Sequence, residues 1–156
     1  MLRVAALALT VVLAALAVAC GGGDGGDDRA SPTAGADLTR TAEAGGITVE
    51  GTWLTASEVD GVDADLSAYP LGQFVLVEIG FTTHSGNLNE VDMEGASELK
   101  QGDGAAAPVA WVSLSDDSHH REGVLAFERT EAGGPVELTV DLGDEKVALL
   151  WESPPG

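Results

Sequence analysis

Between residues 46 and 152, apolar side chains recur at every second position, the spacing of a strand with one buried face. Val136, Leu138, Val140 and Leu142 alternate with Glu137, Thr139 and Asp141. Ile47, Val49, Gly51 and Trp53 line one face of an earlier strand, and 109–114, 123–127 and 146–151 read as three more. The run Phe74–Phe81 is apolar on both faces, which marks a central strand covered on two sides. A seventh, weaker strand is expected over 91–99, with Val91, Met93 and Leu99 as its apolar positions.

Turn-forming residues separate these runs: Ser85-Gly86-Asn87, Gly102-Asp103-Gly104, Gly133-Gly134-Pro135 and Gly143-Asp144-Glu145. Short strands with frequent turns predict an all-β fold, a single antiparallel sandwich of about seven strands. Residues 46–152 are the usual size of one domain and long enough for a real core. The stretch 56–68 is expected to be an irregular loop, although Ser57 or Asp60 would suit the cap of a helical turn.

The N-terminal region is of another kind. Arg3 precedes an Ala/Val/Leu run over 4–19, and Ala17-Val18-Ala19 leads into Cys20 and Gly21-Gly22-Gly23. An apolar run of sixteen residues is shorter than the ~20 that cross a ~30 Å hydrocarbon core. This arrangement resembles a bacterial lipoprotein signal peptide spanning 1–19, with Cys20 as the lipidated first residue of the mature chain. The resemblance implies a diacylglyceryl anchor on Cys20 and an extracytoplasmic location at the cell membrane. It departs at Ala17, where the lipoprotein motif prefers leucine. Plain secretion after Ala19 and an uncleaved anchor are the alternatives. Lipidation would also account for the odd thiol, because Cys20 is the sole cysteine. The domain is therefore expected to fold without a disulfide.

Residues 20–45 are rich in Gly, Asp, Ala, Ser and Thr, with Leu38 the only large apolar side chain. This composition predicts a flexible tether, and a Gly-rich coil of about 25 residues averages roughly 25–30 Å end to end. Residues 153–156 form a short Pro-Pro-Gly tail.

The order Gly72-Gln73-Phe74-Val75-Leu76-Val77-Glu78-Ile79, then Gly102-Asp103-Gly104, then Arg121-Glu122-Gly123-Val124-Leu125-Ala126-Phe127-Glu128 carries a further likeness. It is similar to the immunoglobulin-like (telokin-like) domains of small Gram-positive lipoproteins and secreted mycobacterial antigens. The usual asparagine after the long central strand is replaced by Thr82-Thr83-His84-Ser85. The resemblance implies an immunoglobulin-like sandwich; it implies no activity, because that fold carries many functions.

Few residues suggest chemistry. His119 and His120 follow Asp116 and Asp117, and imidazole with carboxylate suits zinc, copper or nickel. Adjacent histidines in an extended segment point to opposite sides, so the alternative is a polar surface turn. His84 is expected to be solvated. The acidic groups Glu58, Asp60, Asp63, Asp65 and Glu90, Asp92, Glu94, Glu98 raise calcium, but neither has EF-hand spacing. There is no Gly-x-Ser-x-Gly elbow, and Ser115 and Ser118 sit in what reads as a flexible acidic loop. Trp53, Trp111 and Trp151 lie within apolar alternation and read as packing residues. No catalytic residue, cofactor or firm metal ligand is expected, and the chain does not read as an enzyme.

The chain has 26 acidic and seven basic side chains, and cleavage after Ala19 would remove one of the basic ones, Arg3. Such a field opposes nucleic acid and anionic polymers and favours cationic partners. The expected function is a membrane-anchored binding or accessory module that engages an envelope protein; the alternative is a solute- or metal-ion-binding lipoprotein. Metabolic palmitate labelling checks the anchor: the wild-type chain is expected to carry label and Cys20→Ala to lose it.

Overall fold

The computed structural model describes residues 38–130 and 133–154. The signal segment 1–19, Cys20 and most of the expected tether lie outside the described residues. Nine strands are seen: β1 (Thr39–Ala44), β2 (Ile47–Trp53), β3 (Phe74–Thr83), β4 (Ser97–Gln101), β5 (Gly104–Ala106), β6 (Ala110–Asp116), β7 (His120–Glu128), β8 (Val136–Asp141) and β9 (Lys146–Trp151). They form two sheets, β1-β2-β3-β7-β6 and β5-β4-β8-β9, with every pairing antiparallel. The all-β expectation therefore holds.

The core lies between the sheets. Alternation places Val75, Val77, Ile79 and Phe81 of β3 on the inner face, beside Val49 and Trp53 of β2 and Leu125 and Phe127 of β7. Against them pack Leu99, Val136, Leu138, Val140, Val147, Leu149 and Trp151 of the smaller sheet. Two inner-face glycines make room for large side chains. A Cβ on Gly51 would come within 2.6 Å of the Leu149 side chain, and one on Gly123 within 2.5 Å of the Trp111 ring.

The larger sheet is covered on part of its outer face as well. The segment joining β2 to β3 folds back and lays Leu54 and Leu66 on Leu76, Val124, Ala126 and Ala110. This is why Leu76 is as apolar as its inward-facing neighbours. A single helical turn, α1 (Ala56–Val59), opens that segment. Its N-terminus is capped by Thr55 and not by Ser57, with Glu58 Oε2 accepting from the Thr55 backbone N–H and hydroxyl, both at 2.8 Å, while Asp60 stands at its C-cap.

Two sequence expectations are corrected. Residues 39–44, placed in the tether, form β1, so the domain begins near Leu38. The reason is pairing: Thr39 to Ala44 register with Thr52 to Ile47 across a turn at Gly45-Gly46, both at positive φ. The Leu38 carbonyl accepts from the Trp53 backbone N–H at 3.0 Å and from the Trp151 indole N–H at 2.7 Å. Arg40 Nε donates to the Leu150 carbonyl at 2.8 Å, so β1 joins both sheets. The strand expected over 91–99 is the second correction. Asn87 caps a 3₁₀ turn over Leu88–Glu90, and α2 (Met93–Ala96) follows before β4 starts at Ser97. Leu88 and Met93 are buried at the end of the core, and local turns let both point inward.

The β1 correction has a direct check. A chain beginning at residue 46 lacks the Leu38 carbonyl and leaves the buried Trp151 N–H without its acceptor, at a cost of about 1–3 kcal/mol before the lost pairing is counted. Urea unfolding is expected to show it less stable than a chain beginning at residue 37 by at least that amount.

Candidate functional site

Past the covered end, the outer face of the larger sheet is open and polar. Registration across β2, β3 and β7 sets three rows there: Thr48, Thr82 and His120; Glu50, Gly80 and Glu122; Thr52, Glu78 and Val124. These residues, without Val124, line a depression of about 290 Å³. The two carboxylates of the middle row flank Gly80, whose missing side chain leaves the floor of the depression bare. A Cβ there would meet nothing closer than Glu122 at 3.8 Å, so packing does not demand glycine at this position.

Three glutamates lie on adjacent strands here, and Glu122 acts on Glu78 as a like charge. Glu78 is half-buried at the edge of the covered region, and its proton affinity is raised by burial first, then by Glu122 and Glu58. His120 is exposed; its Nδ1 lies 3.0 Å from the Thr82 hydroxyl and its Nε2 3.9 Å from Glu122 Oε2. The surface as a whole offers an arriving group carboxylate acceptors in a shallow, water-facing hollow.

The sequence candidates lie beside this face and are largely engaged in structure. Asp117 Oδ1 accepts from the His119 and His120 backbone N–H groups at 2.8 and 3.3 Å, which holds its carboxyl below the ordinary aspartate range. Asp116 Oδ1 accepts from the Ser113 hydroxyl at 2.7 Å and lies 3.6 Å from Arg121 Nε. The two aspartates thus close the β6–β7 hairpin. Among the described residues no group of three or more His, Cys, Asp or Glu side chains is arranged to hold a metal ion.

The hairpin is also better anchored than its composition suggests. Ser115 lies in β6 and donates to the His120 carbonyl at 3.3 Å. Carbonyls of the connection accept from Thr83 N, Leu88 N and Asn89 Nδ2 at 2.9, 2.9 and 3.2 Å. A flexible loop was expected here; backbone acceptors invisible in composition pin it to the end of β3 and the 3₁₀ turn.

The acidic groups considered for calcium are dispersed in the same way. Glu58 caps α1, Asp65 accepts from Ser67 N, Glu94 accepts from Trp111 N at 2.9 Å and Glu98 pairs with Lys100 at 3.2 Å. His84 is exposed beside the turn at Gly86. Trp53 and Trp151 meet edge-on in the core at 5.8 Å, while Trp111 lies half-buried under the Arg121 guanidinium.

Glu50, Glu78 and Glu122 were not singled out from sequence, because they lie 28 and 44 residues apart and only strand pairing assembles them. The usable signal was Glu78, a lone charge inside an otherwise apolar central run. Comparison of the chain with protein-family models, curated proteins and solved structures finds no match.

The raised proton affinity of Glu78 has a thermodynamic consequence. The folded state binds this proton more tightly than the unfolded chain, so stability falls as pH rises through the window above the ordinary glutamate value of about 4.3. Glu78→Gln is therefore expected to raise the melting temperature at pH 7 and to lose that advantage below about pH 4. Paired thermal melts at the two pH values check it.

Proposed function

We propose that this chain is a membrane-anchored, extracytoplasmic, immunoglobulin-like binding module that engages an envelope protein bearing a cationic surface. The observation that carries the reading is the acidic row Glu50–Gly80–Glu122 with Glu78 beside it, on a sheet face that the fold itself leaves uncovered. Opposite charge across an interface steers encounter and sets specificity more than it adds affinity. A Lys or Arg side chain arriving over Gly80 would have carboxylates on both sides, at strand positions held by the rigid pairing of β2, β3 and β7.

The supporting arguments come from two levels. In sequence, the Cys20 motif argues for a lipid anchor, and residues 21–37 would space the domain from the membrane. In structure, Glu58, Glu94, Asp116 and Asp117, among the carboxylates considered for metal binding, accept from backbone N–H groups or a neighbouring hydroxyl, which favours a protein partner over a metal ion as the reading of the acidic face. The module acts by binding and not by catalysis in this reading.

In-membrane crosslinking of the full anchored chain tests the proposal. The wild-type chain is expected to give a discrete crosslinked protein whose yield falls with added salt. Charge reversal by Glu50→Lys with Glu122→Lys is expected to abolish that product while the circular dichroism spectrum is kept. An undiminished product from the folded double variant would overturn the assignment of this face.

A further inference from the structure

The cleft at the opposite, covered end of the larger sheet contains a cation with no carboxylate within 4 Å among the described residues. Trp53, Leu54, Thr55, Ala56, Leu71, Gly72 and Arg129 line a cavity of about 390 Å³. That lies within the ~300–1,000 Å³ range of small-molecule sites. Its walls are mostly hydrocarbon, and Arg129, just beyond the end of β7, supplies the charge.

Arg129 is half-buried. Its Nε donates to the Leu71 carbonyl at 3.0 Å, and its Nη2 reaches the Phe74 carbonyl at 3.4 Å. A guanidinium has five N–H donors, so these bonds orient the group and leave donors over. Lys100, Arg121 and Lys146 each have a carboxylate within 4 Å, at 3.2, 3.6 and 2.9 Å. Arg129 has none among the described residues. Glu58, on the facing segment, has its carboxylate taken up by Thr55. In a chain where acids outnumber bases by 26 to seven, a guanidinium without an acid beside an apolar cleft is a specific arrangement.

We propose that this cleft binds a small amphiphilic carboxylate, its head on Arg129 and its hydrocarbon against Leu54, Leu71 and Trp53. The planar fork of an arginine matches the two oxygens of a carboxylate, and the clamp on the Leu71 and Phe74 carbonyls holds that fork in place before the ligand arrives. The apolar wall contributes through the area it removes from water. A second hollow shares Ala56 and Leu71 with the cleft; Val59, Val62, Leu66 and Tyr69 give a longer hydrocarbon chain further apolar surface there, beside the polar Asp60 and Ser67. None of the acidic-face residues lines this cleft, so the two sites stand or fall separately.

Titration of the full chain with octanoate and with octanol at pH 7, read by tryptophan fluorescence and by the amide resonances of Gly72 and Arg129, tests the inference. Octanoate is expected to bind saturably and about tenfold or more tightly than octanol, as charge-assisted hydrogen bonds require. Arg129→Gln is expected to remove that preference, and Arg129→Lys to retain part of it. Equal binding of the two ligands by the wild-type chain overturns the proposal, and so does undiminished octanoate binding by folded Arg129→Gln. The wild-type comparison decides the matter even where Arg129→Gln fails to fold.

Discussion

Burial of β3, complete on its inner face and partial on its outer one, is the constraint on which the rest of the structure depends. Its inward side chains, Val75, Val77, Ile79 and Phe81, meet the smaller sheet and are at most 4 % exposed. Its outward positions divide the strand: Leu76 lies beneath the β2–β3 segment, whereas the half-buried Glu78, then Gly80 and Thr82, line the open depression. One strand therefore separates a covered, apolar half of the outer face from an open, acidic half. The Arg129 cleft belongs to the first and the glutamate row to the second.

No disulfide joins any of the described residues, whose sequence holds no cysteine, so the two layers are held by packing and by a few shared polar atoms. The Leu38 carbonyl is the clearest of these. It serves the larger sheet through Trp53 N and the smaller sheet through the Trp151 indole, and the two rings meet edge-on beside it. Arg121 has a similar part at the other end of the sandwich. Its guanidinium Nη1 donates to the Leu88 and Val91 carbonyls at 3.1 and 2.7 Å and lies over the Trp111 ring. Arginine suits that end because its donors are fixed in a plane and can satisfy carbonyls that irregular segments leave unpaired.

Charge is distributed unevenly over this frame. Four acids of the β6–β7 hairpin and the two acidic segments, Glu58, Asp65, Glu94 and Asp117, satisfy backbone N–H groups that turns and strand ends would otherwise expose. Carboxylates doing that work are poor candidates for a ligand, since binding would strip a structural hydrogen bond. The glutamates around Gly80 have no such duty, and the charges of Glu122 on that face and Glu58 beside it raise the proton affinity of Glu78 beyond the effect of burial. A face that keeps three like charges together is kept at some cost to stability, and a cationic partner would relieve it.

Period-two alternation by itself determined the all-β class, six of the strand positions and most of the core, because burial of one face of a strand writes itself into every second residue. Val136–Val140, Ile47–Trp53 and the doubly apolar Phe74–Phe81 were legible for that reason. Strand β1 was not, since Thr39–Ala44 contains no large apolar residue and is held by pairing and by the Leu38 carbonyl. Nor was the break before β4, where local turns at Asn87 and Asp92 override an apparent alternation. Both candidate sites were decided only by tertiary structure. Glu50, Glu78 and Glu122 become neighbours through strand register, and Arg129 meets Leu54 and Leu71 only after the β2–β3 segment folds back. Local sequence records which face of a strand is buried; it does not record which distant polar residues the pairing will bring together.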